Sequence, residues 1–168
     1  TELDACPPSV ALQLIKLLAQ ASGQVGMVGG QAIDLGAVDQ QIDLAHLETI
    51  HRLKTGALIR AAVAMGATLA GASKVQLAAL DRYGEAIGLS FQVQDDILDI
   101  ESDTLTLGKT QGADIALNKP TYPALLGLEE AKVKAQDLHQ QALDALQDFD
   151  AGAESLRSLS HYIINRSH

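Results

Sequence analysis

Residues 91–99 read Phe91-Gln92-Val93-Gln94-Asp95-Asp96-Ile97-Leu98-Asp99, three aspartates set among apolar side chains. Asp95 and Asp99 are spaced i,i+4 and Asp96 and Asp99 i,i+3, with Gln92 one turn before the first two. On a helix these side chains share one face. The stretch ends a longer run in which Leu77, Leu80, Ile87, Phe91, Ile97 and Leu98 supply apolar contacts, and it predicts one helix from Lys74 to about Glu101. A helix of that length points to a large helical barrel or bundle. Aromatic residues are only 3% of the chain and strand-like runs of Val, Ile and Thr are missing, so the fold class read from the sequence is all-α.

Working outward, Ser9 follows Pro7 and Pro8 and is placed to cap a helix carrying Val10, Leu14, Leu17, Leu18 and Ala21, ending near Ser22 or Gly23. The glycine-rich stretch from Gly26 to Asp34 lacks GxGxxG spacing and a preceding strand pattern, so it reads as a helix with small residues at a crowded contact. A second long helix is expected from about Leu44 to Ala70, with Leu47, Ile50, Leu53, Leu58, Ile59 and Met65 as its apolar positions. Its Ala- and Gly-rich stretch from Gly56 to Ala72, interrupted by Arg60, falls short of a membrane span. Between Glu101 and Lys119 the pattern breaks into a loop bearing Gly108, Gly112, Lys109 and Lys119. Pro120 and Pro123 then frame a helix start, and amphipathic helices follow from Glu129 to Phe149 and from Glu154 to about Ile164.

With 168 residues and 47% apolar composition the chain is expected to fold as a single compact segment, residues 1–168. Twelve Lys and Arg against 21 Asp and Glu give a net charge of −9. That balance argues against sequence-independent nucleic-acid binding and against attachment to anionic membranes. A single cysteine, Cys6, and an N-terminus without signal-peptide features lead to a cytoplasmic expectation. His46, His139, His161 and His168 show no metal-ligand spacing with each other or with Cys6. His51, near Lys54, is a weaker candidate for a phosphate contact. Gly88, one turn before Gln92, either permits close helix packing or leaves room for an apolar substrate tail beneath the aspartate site.

Three carboxylates within one turn repel one another unless a cation offsets them. Oxygen-only ligands suit Mg²⁺, which is commonly held by one or two carboxylates together with substrate phosphates. Asp95, Asp96 and Asp99 are therefore the expected metal residues, with the missing ligands coming from the substrate. Lys109 and Lys119 are flexible point charges able to approach phosphate oxygens, and Lys54-Thr55 offers another cation beside a hydroxyl. Acidic cluster, metal and lysines together describe a diphosphate site.

Five ordered stretches resemble the trans-prenyl diphosphate synthase family, most closely its bacterial farnesyl diphosphate branch: GMVGGQAIDL (26–35), HRLKTGALI (51–59), FQVQDDILD (91–99), GKTQGAD (108–114) and NKPTYP (118–123). The resemblance runs from about Gly26 to Arg166. It implies a helical barrel of long antiparallel helices and a head-to-tail condensation, in which an allylic diphosphate (dimethylallyl or geranyl) is ionised with Mg²⁺ and isopentenyl diphosphate attacks the cation. Carried over by position, Asp95 binds metal directly, while Asp96 and Asp99 ligate it or hold its waters. Lys54, Lys109 and Lys119 contact the diphosphate, Thr55 and Gln92 sit near the reacting carbons, and apolar helix faces exclude water.

Nothing in residues 1–25 resembles the family's first aspartate-rich motif, and family members run to nearly twice this length. The chain therefore reads as a C-terminal half that does not turn over by itself, with exposed helix faces that favour association, a homodimer among the options. A longer-chain (geranylgeranyl) synthase and a non-catalytic helical subunit are the alternative readings.

Overall fold

The computed structural model describes residues 6–101 and 120–167, and among them every regular element is helical. α1 (Pro8–Ser22), α2 (Met27–Gly36) and α3 (Leu44–His51) are followed by one turn of π-helix (Arg52–Gly56) that runs directly into α4 (Ala57–Leu69). α5 (Lys74–Glu101) comes next, then α6 (Tyr122–Leu126), α7 (Leu128–Ala145), a 3₁₀ turn (Ala151–Ala153) and α8 (Glu154–Asn165). The loop lysines Lys109 and Lys119 lie outside the described residues, as do the whole of GKTQGAD (108–114) and the first two residues of NKPTYP (118–123). No described helix is long and apolar enough to cross a membrane.

α5 is the axis of the molecule. Its first half places Leu80, Tyr83, Ala86 and Ile87 in an apolar cluster with Ala142, Ala145 and Leu146 after and along α7 and Ile163 of α8. Its second half places Leu89, Val93 and Ile97 against Leu47 of α3, Tyr122 of α6 and Ala131, Ala135 and Leu138 of α7. The buried Tyr83 donates its hydroxyl to the Leu156 carbonyl at 2.8 Å, tying α5 to α8. Arg157 donates to the carbonyls of Leu146, Phe149 and Asp150 at 2.7–3.2 Å, tying the start of α8 to the turn that follows α7.

Two local expectations are corrected. Ser9 does not cap α1: the helix begins at Pro8, with Pro7 in the capping position and no side-chain cap bond, because a proline at the first helical position has no N–H to satisfy. The helix expected as one uniform element from Leu44 to Ala70 is interrupted by the π turn at Arg52–Gly56. Close approach explains where the turn sits. A Cβ on Gly30 of α2 would lie 2.7 Å from Lys54 Cα and 2.8 Å from Leu53 C, and one on Gly88 of α5 would lie 3.1 Å from Gly56 Cα. Gly88 thus permits the close helix packing that was one of its two expected roles.

Candidate active site

The π turn carries Lys54 and Thr55, and such turns within α-helices are frequent at functional sites. Lys54 Nζ pairs with Asp34 Oδ2 of α2 at 2.6 Å. Thr55 Oγ1 donates to Gln92 Oε1 of α5 at 2.5 Å. The adjacent Lys54 and Thr55 thus tie the π turn to Asp34 of α2, 20 residues away, and to Gln92 of α5, 37 residues away. Asp34 was not singled out in the sequence; its pairing with Lys54, i to i+20, has no local signature.

The three aspartates end up in different surroundings. Asp95 has a 43% exposed side chain and accepts from Arg166 Nη2 at 3.3 Å. Arg166 also donates to the Phe91 carbonyl at 3.2 Å and places its guanidinium 4.2 Å from the Phe91 ring centroid. Asp96 is 6% exposed and accepts the Tyr122 backbone N–H at 2.9 Å. Asp99 is 1% exposed. The shared face expected from spacing is thus divided: residues i and i+1 point about 100° apart on a helix, so Asp95 is left accessible while Asp96 turns toward the start of α6. Arg166 and Tyr122 as partners of the motif were also missed by sequence reasoning.

No group of three or more His, Cys, Asp or Glu close enough to hold a metal occurs among the described residues. The donor chemistry nevertheless fits Mg²⁺ held through one or two carboxylates with its waters retained, since every candidate ligand is a hard oxygen and Asp95 is open to solvent.

His51, on the turn preceding Lys54, stacks on the Tyr122 ring with centroids 5.5 Å apart. Its pKa is lowered to about 4, chiefly by burial, with Lys54 acting in the same direction and Asp34, Asp95 and Glu48 opposing. The ring is therefore neutral at pH 7. A histidine that titrates at 6.5 when unfolded and about 4 when folded leaves the unfolded chain with the extra proton between those values. Stability must then fall as pH drops through that window. Urea midpoints measured from pH 7 to 4 should decline less for His51→Phe than for the wild type, and parallel declines would refute the assignment.

The family model described as polyprenyl synthetase matches residues 2–159. The chain belongs to the polyprenyl synthetase family. Among named relatives, farnesyl diphosphate synthase of Escherichia coli K12 is 53% identical over 98% of this chain and 58% of its own length. Among solved structures, an FPP/GFPP synthase from Zymomonas mobilis is 41% identical with a TM-score of 0.81, covering 94% of this chain and 52% of the other. A Helicobacter pylori geranyltransferase complexed with magnesium and isoprenyl diphosphate is 33% identical with a TM-score of 0.79, covering 95% and 52%. The neighbours are prenyl synthases of the all-α isoprenoid synthase fold, which bears out the fold class expected from the sequence. The chain spans about half the length of the relatives it matches.

Proposed function

We propose that this chain supplies one wall of the site of a prenyltransferase that joins isopentenyl diphosphate to an allylic diphosphate, dimethylallyl or geranyl, and yields farnesyl diphosphate. The observation that carries the reading is the Thr55–Gln92 hydrogen bond of 2.5 Å. It holds the Lys54-Thr55 turn beside the helix face that ends in Asp95, so a cation, two neutral polar groups and an accessible carboxylate lie along adjoining elements. Lys54, with the loop residues Lys109 and Lys119, binds diphosphate oxygens. Asp34 anchors Lys54 Nζ through the 2.6 Å ion pair. Thr55 and Gln92 present oxygens toward the reacting carbons, and apolar helix faces keep water from the cation. Asp95, Asp96 and Asp99 would hold Mg²⁺ and its waters; when bound, the ion neutralises charge on the departing diphosphate as a Lewis acid.

The E. coli and H. pylori relatives support the substrate class, the latter through its bound magnesium and isoprenyl diphosphate. The Z. mobilis neighbour, described as an FPP/GFPP synthase, keeps a longer product within range. The single cysteine suits a reducing compartment, and we place the reaction in the cytoplasm.

A chimaera tests the reading: the part of the E. coli relative outside the matched segment joined to this chain. It should form farnesyl diphosphate from isopentenyl and geranyl diphosphates with Mg²⁺, and Lys54→Ala should reduce turnover by at least about a hundredfold, the loss of one preorganised charge contact. Residues 1–168 alone should form no product, since their sequence contains one aspartate-rich motif. An inactive, folded chimaera, or full turnover by residues 1–168, would defeat the corresponding statement.

Leu12 and Ile15 of α1 are 67% and 64% exposed, and Val28 and Leu35 of α2 and Val38 after it are exposed as well. Apolar faces of this kind promote association. We read α1 and α2 as an association surface, in a homodimer or with the rest of a longer chain. A light-scattering mass that stays monomeric at high concentration would contradict it.

A further inference from the structure

α7 and α8 bring together two histidines that stand 22 positions apart in the sequence. The ring centroids of His139 and His161 are 4.6 Å apart, with the planes inclined at 56°. His139 is 7% exposed and its Nδ1 lies 2.7 Å from the Oγ of the buried Ser160. His161 is exposed. Neither ring takes part in the site around Lys54 and Asp95.

We propose that His139 and His161 form an open, two-histidine site for a borderline-soft divalent transition ion of the Zn²⁺, Ni²⁺ or Cu²⁺ class, with water completing the coordination. The spacing fits. A metal–nitrogen bond of about 2.1 Å places each imidazole centroid roughly 3.2 Å from the ion, so two rings bound at angles between a right angle and the tetrahedral value have centroids about 4.5–5.2 Å apart. The observed 4.6 Å lies inside that interval. When Nδ1–H of His139 is donated to Ser160 Oγ, Nε2 is left with its lone pair, the arrangement by which a hydrogen-bonded partner orients a ligating imidazole.

Burial first, and the neighbouring His161 second, lower the His139 pKa from its ordinary value. The ring therefore offers the neutral form that a metal requires at pH 7. Ligand type separates this site from the aspartates: imidazole nitrogens suit Zn²⁺, Cu²⁺ and Ni²⁺, whereas carboxylates with water suit Mg²⁺. An ion held here would bridge α7 to α8, the helix whose end leads directly into Arg166.

The test is a Ni²⁺ titration of residues 1–168 in excess Mg²⁺, followed by paramagnetic broadening of assigned amide signals. Signals around His139 and His161 should vanish first. His161→Ala, at an exposed position, should keep the wild-type circular dichroism spectrum and bind at least about tenfold more weakly. Thermal unfolding should shift upward with Ni²⁺ in the wild type and not in His161→Ala, while His46→Ala should bind as the wild type does. His161→Gln serves as a second variant. Equal Ni²⁺ affinity of wild type and both His161 variants, or broadening centred on His46 or Asp95, would overturn the proposal. Failure of Mg²⁺ and diphosphate binding would leave it untouched, since the ligands differ.

Discussion

Gly30→Ala should destabilise the chain by about 2–3 kcal/mol, the upper range for forcing an extra carbon into a packed contact, and lower Tm by roughly 5–10 °C at this length. The added carbon would lie 2.7 Å from Lys54 Cα and 2.8 Å from Leu53 C, and closer still to Lys54 N. All three are backbone atoms, so relief requires α2 to move away from the π turn. The same movement pulls Asp34 from Lys54 Nζ, where the two now lie 2.6 Å apart. Diphosphate binding should fall with stability. Gly66→Ala is the matched control, because nothing lies within 4 Å of its added carbon. In a helix interior that change should stabilise by about 0.5–1 kcal/mol. Calorimetry of the two variants decides the matter: similar Tm values for Gly30→Ala and Gly66→Ala would show that the α2 contact does not constrain the turn.

The second large effect separates neighbouring aspartates. Asp96→Ala removes the acceptor of the buried Tyr122 N–H, 2.9 Å away, and an orphaned buried donor costs about 1–3 kcal/mol. Asp96→Asn retains an oxygen at that place and should recover most of the loss. Asp95→Ala should scarcely alter Tm, because its pairing with Arg166 at 3.3 Å involves a 43% exposed carboxylate, and such pairs are worth about 0–1 kcal/mol. Its effect falls on ligand binding: affinity for Mg²⁺ with pyrophosphate should drop at least about tenfold. Thermal unfolding and isothermal titration on the same three variants check both halves. A stable Asp96→Ala, or an Asp95→Ala that binds as the wild type does, would contradict the roles assigned.

Much of the architecture was legible beforehand where local signals agreed with packing. The helix expected from Lys74 to about Glu101 is found as α5 with those bounds, because apolar residues recur along its whole length and no proline interrupts it. The glycine-rich stretch did become a helix at a crowded contact, with Gly30 buried. The π turn was not legible, since its residues Arg-Leu-Lys-Thr-Gly carry no composition that demands an i→i+5 pattern. It lies where Gly30, Gly56 and Gly88 let three helices approach closely. The partners of the site residues were equally hidden. Asp34 meets Lys54 across 20 residues, Tyr122 meets Asp96 across 26 and Arg166 meets Asp95 across 71, and no periodicity reports contacts of that kind.

By itself the sequence determined the helical class, the long central helix and which residues are candidates for the chemistry, because periodicity and motif spacing act within a few turns. Tertiary structure alone decided how those residues are used. It left Asp95 accessible and buried Asp96 and Asp99, paired Lys54 with Asp34, made His51 neutral against Tyr122, and brought His139 to His161 from separate helices. The physical reason is common to all four: exposure, proton affinity and ion pairing depend on which helix faces which, and that is set by the packing of α5 against its neighbours rather than by any local run of residues.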